Sequence, residues 1–354
     1  VIRADHDGDT NLDSVYLINA FCEWLDQVAG NRPLVVSCSW GGQRGGRDGQ
    51  TIAERHLSSL FPLDKVGRAI CFAAGNQGDF LIHAPVAVGT QARPGEFSWV
   101  ADGRALVTIY VESDDLDDLF IGGVDDTVID PNNVHSYVNP LTKHAVLQVG
   151  VTGNGKMYVY SGKGSRIGAD AYIDGRAVAF SEESYDLSKQ PAFPSTADNV
   201  LSVGSYDWND QFSYRGSIRL LTDVVHDQPL VIGVLSAYSN PGPRRFGDVF
   251  KPELVAPGQW YTAPAPQNVS TMRDSTGQYH TFNGTSSATP YTAGVIALAL
   301  QANPRLTWGR LRGLLTANLT EDARTGKTPN GKWGYGKLDF AAAERFVTAA
   351  GKSK

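Results

Sequence analysis

Ser286 lies in the run Asn283-Gly-Thr-Ser-Ser-Ala-Thr-Pro290-Tyr-Thr-Ala-Gly294, directly before an apolar stretch with helical spacing. A serine at a helix start sits where backbone N–H groups point outward and the helix dipole favours developing negative charge. Gly284 lets the backbone come close to a substrate, and Pro290 fits a first turn, where its missing donor costs nothing. That setting suits a nucleophile for acyl transfer. It equally suits a plain cap, with the Thr285 or Ser286 hydroxyl on the first N–H groups. Asn76 ends an apolar run after Ala73-Ala74-Gly75. A fixed carboxamide there would stabilise charge on a carbonyl oxygen more than the neutral ground state. An asparagine in that place is also an ordinary turn residue. Ser39-Trp40-Gly41-Gly42 ends another run and would offer a backbone edge to an extended peptide, or merely a turn.

The elements that must position these residues follow from hydrophobic spacing. Residues 11–29 place Val15, Leu17, Ile18, Phe21, Cys22 and Leu25 at helical intervals, with Asp9 and Asp13 flanking the start. Residues 34–40 read as a buried strand, 51–60 as a helix and 69–74 as a second buried strand. Strand, helix, strand is a βαβ unit and implies a parallel sheet. Ligands of such sheets bind at the carboxyl ends of the strands, where Gly41-Gly42 and Gly75-Asn76 both fall. From about His83 the pattern changes. Short strands at 106–111, 145–149, 157–160 and 177–180, separated by turns such as Gly153-Asn154-Gly155, predict an all-β sandwich or jelly roll. Near Pro194 the α/β pattern returns, with apolar runs at 200–204 and 230–235 and helices at 286–302, 307–317 and 338–349. The expected fold is an α/β parallel sheet with flanking helices, built from residues 1–83 and 196–354. An inserted all-β, jelly-roll-like domain over 84–195 interrupts it.

Four segments, in order, resemble motifs of the subtilase family of serine proteases. Gly284-Thr-Ser-x-Ala-x-Pro-x-x-Ala-Gly294 is similar to its serine motif, and Ala73-Ala-Gly-Asn76 to its oxyanion-hole segment. Ser39-Trp-Gly-Gly42 is similar to the strand that lines its primary specificity pocket. Ser239-Asn-Pro-Gly-Pro243, with Lys251 to Gly258, resembles the turn segment that precedes its serine. The resemblance implies a subtilisin-like fold and a serine endopeptidase acting on protein or peptide. Ser286 would be the nucleophile, and Asn76 with the Ser286 backbone N–H would hold the oxyanion. Ser39, Trp40, Gly41, Gly42, Ala73, Ala74, Gly75 and Thr285 would line the substrate cleft. The Gly-rich run at 41–50 and the β module look like bacterial subtilases with an internal jelly roll, including clostridial germination proteases. That implies a secreted or cell-envelope bacterial protein.

Subtilases order their triad Asp, His, Ser along the chain. In the family both Asp and His precede the Ser-x-Gly-Gly strand, so here both would fall before Val1. None of His6, His56, His83, His135, His144, His226 and His280 stands in a His-Gly-Thr-like context, and none is carried over. The chain begins at Val1 without a signal segment, so the expectation is a trimmed, processed or partial chain. An N-terminal fragment or companion chain would supply Asp and His. The alternative is a catalytically incomplete pseudoprotease or binding scaffold. A third reading fails: Gly284 to Ala288 is one residue from the Gly-x-Ser-x-Gly elbow, but those enzymes place a histidine after the serine and none follows Ser286.

The formal net charge of -6 argues against nucleic acid or an anionic membrane surface as partner. No apolar stretch reaches the roughly 18 residues of a membrane span. Cys22, Cys38 and Cys71 are an odd set, with Cys38 and Cys71 in apolar runs, and read as buried thiols. The chemistry requires no cofactor. Structural calcium occurs in relatives, but no site is assignable. The run Asp5 to Asp13 alternates oxygen ligands yet lacks the turn Gly and terminal Glu of a calcium loop, so it reads as a solvated helix start. Asp114 to Asp118 read as an exposed acidic loop.

Overall fold

The computed structural model describes residues 13–124, 127, 129, 131–214, 217–247, 249–264, 274 and 276–353. His6 and the acidic run before Asp13 lie outside them. The chain divides into two compact units, Asp79–Gln190 and the rest. The breaks come five residues earlier than the expected ones after 83 and 195. His83 joins the β unit through its bond to Asp170, and Ala192 joins the other through a bond from its N–H to the Ala74 carbonyl.

The first unit opens with α1 (Asp13–Ala29), β1 (Leu34–Cys38), α2 (Ile52–Leu60) and β2 (Arg68–Ala73). The second contains β3 (His83–Thr90), β4 (Gly95–Ala101), β5 (Arg104–Val111), β6 (Leu119–Gly123), β7 (Val134–Val138), β8 (Ala145–Thr152), β9 (Gly155–Ser161), β10 (Ile167–Gly175) and β11 (Val178–Phe180). The first then resumes with β12 (Leu201–Asp207) and the hairpin β13 (Gln211–Tyr214) and β14 (Ser217–Leu220). There follow β15 (Leu254–Gln259) and the hairpin β16 (Tyr261–Pro264) and β17 (Tyr279–Phe282). It ends in α3 (Thr285–Ala302), α4 (Trp308–Ala317) and α5 (Phe340–Lys352).

The first unit is built on a parallel sheet in the order β1-β2-β12-β15, with Cys38 opposite Phe72 and Leu201 opposite Cys71. β2, β12 and β15 are buried along their whole length, as continuous apolar strands in a covered parallel sheet must be. Ile70, Phe72, Leu201 and Leu254 pack against Ile296, Leu300, Trp308 and Phe346 in one core. α2 starts at a capping box in which Thr51 and Glu54 bond each other's backbone, and Thr307 and Asp339 cap α4 and α5. The apolar run at 230–235 is not a strand. Gly233, at φ +85°, turns the chain there, and Leu235 keeps a single bridge to Tyr206. An apolar run without regular spacing does not by itself specify a strand.

The second unit is a nine-stranded mixed sheet around a large core, with a smaller cluster of Tyr110, Val146 and Tyr172 beside it. β3 pairs antiparallel with β10 along most of its length and parallel with β9 at Gly89 and Thr90. Phe97, Trp99, Val107, Ile109, Val149, Met157 and Phe180 fill the interior. Asp115 and Asp118 of the acidic loop bond Lys163 and Ser161. The three cysteines are free, and burial pushes the Cys22 thiol up to about 12 and the Cys71 thiol up as well. Among the described residues, no group of three His, Cys, Asp or Glu side chains is placed to hold a metal ion. No helix among them is long and apolar enough to cross a membrane.

Candidate active site

α3 begins without a side-chain cap. Its N-cap is Gly284, at φ +107° and ψ 165°, and neither Thr285 nor Ser286 caps the helix. Thr285, fully buried, instead donates from both its N–H and its hydroxyl to Asn76 Oδ1, each at 2.9 Å. The Thr285 hydroxyl accepts from the Gly75 N–H at 3.2 Å. A backbone N–H can only donate, so the bond from Thr285 identifies the carboxamide oxygen. Asn76 Nδ2 is therefore turned away from Thr285, without a protein partner among the described residues. A Cβ on residue 284 would lie 3.0 Å from that nitrogen, so glycine keeps the space around it open.

Ser286 is half-exposed in the first turn of α3, and its Oγ approaches the Ser39 carbonyl at 3.4 Å. Ser39 Oγ donates to the Ser286 carbonyl at 2.6 Å. The reason lies one turn on. Pro290 falls inside α3 rather than at its first turn, and its missing N–H is the one that would have bonded the carbonyl four residues back, that of Ser286. Ser39 satisfies the acceptor that Pro290 leaves open.

β1 and β2 stop pairing at Cys38 and Phe72, and the segment at 192–193 enters between their extensions. The Ala192 N–H bonds the Ala74 carbonyl at 2.7 Å, and Phe193 exchanges two bonds with Gly42, at 2.8 and 3.0 Å. The expected backbone edge is thus shorter by one residue, because Phe193 already takes both polar groups of Gly42. Trp40 packs with Phe193 and Ala53. The buried Ala192 methyl fills the space between the diverging segments. A Cβ on Gly41 would lie 3.1 Å from the Ala192 methyl and one on Gly75 would lie 3.0 Å from it, so the two glycines face one methyl group.

Residues of the Ser239 to Pro243 segment and its neighbour Tyr238 hold this rim, a role their sequence did not announce. Asn240 Oδ1 accepts from the Gln77 N–H at 2.5 Å. Tyr238 OH accepts from the Gly284 N–H at 3.1 Å and bonds Ser205 Oγ at 2.9 Å, and burial pushes its phenol up to about 12. Ala192 and Phe193 carried no sequence signal, since an alanine and a phenylalanine look alike in any apolar stretch. Beside Ser286, Tyr261, Phe282, Pro290, Tyr291 and Leu298 help line a cavity of about 740 Å³. Among the described residues no histidine bonds Ser286 Oγ. His56 is on Glu23, His226 is beside Asp223, His280 is buried in β17, and His83, His135 and His144 belong to the second unit.

A family model described as the subtilase family, peptidase S8, matches residues 7–336. The serine protease AprX of Bacillus subtilis is 32% identical over 133 residues, covering 36% of this chain and 26% of AprX. Alkaline serine exoprotease A of Vibrio alginolyticus is 28% identical over 197 residues, covering 52% of this chain and 33% of that protein. The chain thus spans about a quarter to a third of the length of these relatives. In fold it is similar to the CspB protease of Clostridium perfringens, with a TM-score of 0.73 at 17% identity over 99% of this chain and 75% of that one. The serine, asparagine and glycine segments, scattered in sequence, meet around the start of α3, and the family model spans nearly all of the chain that carries them: it belongs to the subtilase family.

Proposed function

We propose that this protein is a serine endopeptidase that cleaves peptide bonds through an acyl-enzyme on Ser286. The observation that carries the reading is the pair of hydrogen bonds from Thr285 to Asn76 Oδ1, which leaves the amide nitrogen beside the start of α3. Ser286 Oγ would attack the substrate carbonyl. The oxyanion would form between Asn76 Nδ2 and the Ser286 backbone N–H, at a helix N-terminus that favours negative charge. A histidine would take the serine proton and a carboxylate would orient it. Both come from residues preceding Val1 or from a companion chain. Two features support this. β1 is an edge strand among the described residues, with Leu34, Val35 and Cys38 only partly buried, although strands of parallel sheets are normally covered. The cavity beside Ser286 is lined mainly by apolar side chains. The bacterial relatives suggest a secreted or cell-envelope protein.

The test is a serine-directed fluorophosphonate on the full-length protein. Label on Ser286, lost in Ser286→Ala together with peptide cleavage while the circular dichroism is kept, supports the enzyme. A folded full-length protein that takes no label points to the scaffold. Undiminished cleavage by Ser286→Ala refutes the assignment.

A further inference from the structure

From Gly284 a line of buried hydroxyls leads into the molecule. The Gly284 N–H donates to the Tyr238 hydroxyl oxygen at 3.1 Å, and that hydroxyl bonds Ser205 Oγ at 2.9 Å. Ser205 Oγ bonds Ser236 Oγ at 3.0 Å, and Ser236 Oγ donates to Asp207 Oδ1 at 2.8 Å. Tyr238, Ser205, Ser236 and Asp207 are all buried. Asp207 ends β12. Gln259, at the end of β15, donates from Nε2 to Asp207 Oδ1 and to Asp223 Oδ2, each at 3.0 Å.

A hydroxyl hydrogen rotates freely, so the direction of each bond is set by the partners at the two ends of the line. A backbone N–H only donates and a carboxylate only accepts. Gly284 and Asp207 therefore force one direction on all three hydroxyls: Tyr238 donates to Ser205, Ser205 to Ser236 and Ser236 to Asp207. Bonds aligned in this way polarise one another, so a charge at one end is felt at the other. Once protonated, Asp207 can donate to Ser236 instead. A relay running backwards ends with the Tyr238 hydrogen against the Gly284 N–H, and that bond is lost. Burial, with the charge of Asp223, raises the Asp207 carboxyl to about 6, so the carboxylate forms as pH rises through that value. The other titratable groups near it are Tyr238, pushed up to about 12, and His226, 3.3 Å from Asp223 Oδ1.

We infer that this relay holds the start of α3 in its working geometry, with Tyr238 and Asp207 as positioning residues for the reaction at Ser286. The inference rests on the protease reading above and adds residues that reach Ser286 only through Gly284. Gly284 sits at φ +107°, a conformation open to glycine, and glycine is the residue most free to turn away from it. Its neighbours carry the chemistry. Thr285 clamps Asn76, and the Ser286 N–H would be the second oxyanion donor. Pinning the Gly284 N–H steadies both at once.

The test reads Gly284 directly, by proton–nitrogen NMR of the full-length protein carrying Ser286→Ala against self-digestion. The Gly284 amide proton should move downfield as pH rises through about 6. Asp207→Asn should abolish that titration. So should Ser236→Ala, which leaves both ends of the relay in place. In the active enzyme, Tyr238→Phe should lower kcat about tenfold well above that pH with KM unchanged, the size of one hydrogen bond. The ratio of wild type to variant should narrow well below it, where the relay is broken in both, and a histidine common to both cancels from the ratio. A Gly284 proton that does not titrate, or that titrates unchanged in Ser236→Ala, overturns the inference. So does a Tyr238→Phe effect that falls on KM alone or is equal at the two pH values. With a fluorophosphonate label on wild-type Ser286, any of these results leaves the protease reading standing. A folded protein that takes no label overturns both.

Discussion

An amide side chain has two ends of nearly equal size and opposite chemistry, and at this site backbone donors decide which end is offered. Thr285 holds Asn76 by its oxygen, and the carboxamide is then committed to donating. The two residues are 209 positions apart, so the arrangement was invisible along the chain. Ser286 and Asn76 were legible as residue types in telling settings; the clamp between Thr285 and Asn76 was not. Thr285→Val removes the hydroxyl donor but keeps the N–H, so Asn76 should loosen without leaving. We expect kcat to fall about tenfold with KM unchanged, and Thr285→Ser to restore it. Asn76→Ala should cost about 10²–10³ in turnover, a magnitude known from a subtilisin. A change in KM alone for Thr285→Val would mean that the threonine contacts substrate and does not position Asn76.

At the scale of elements, the start of α3 is shaped by a missing hydrogen bond. Pro290 cannot serve the Ser286 carbonyl, and Ser39 Oγ does so from the end of β1. The proline was legible, and so was the helix start, expected at 286 and found at 285; the hydroxyl that takes up the open carbonyl comes from 247 positions away and was not. The coupling gives a double-mutant cycle. Ser39→Ala should destabilise the fold by about 1 kcal/mol, by leaving the Ser286 carbonyl without its partner. In the Pro290→Ala background the new N–H can take that carbonyl, and the same substitution should cost much less. Equal costs in the two backgrounds, read from urea midpoints, would rule out the coupling.

Across the whole molecule, the β unit keeps its own core and the parallel-sheet unit carries the candidate site. Stability of the latter should depend on pH through Glu54. This carboxyl is fully buried and bonded by Thr51 and Thr196, and burial, with the nearby charge of Asp48, raises its pKa from 4.5 to about 7. A pKa higher in the fold than in the unfolded chain means that protonation favours folding. The contribution is therefore complete below about 4.5 and lost as pH rises through about 7. Glu54→Gln removes that dependence. Relative to the variant, the wild type should lose about 3 kcal/mol between pH 4.5 and 8, since each pKa unit is worth about 1.4 kcal/mol. An unchanging difference between the two proteins across that range would show that Glu54 does not titrate in it.

The order of amino acids determined the βαβ framework, the interruption by a β unit and the segments that carry Ser286 and Asn76. Those features rest on local periodicity, turn residues and short motifs, which are written along the chain. What only the tertiary structure decided is how the pieces face each other. It turned the amide of Asn76, set Ser39 against the carbonyl freed by Pro290, and placed Ala192 and Phe193 between two strand ends. Each depends on hydrogen bonds between residues tens to hundreds of positions apart, and the direction of such a bond belongs to the pair and to neither residue alone.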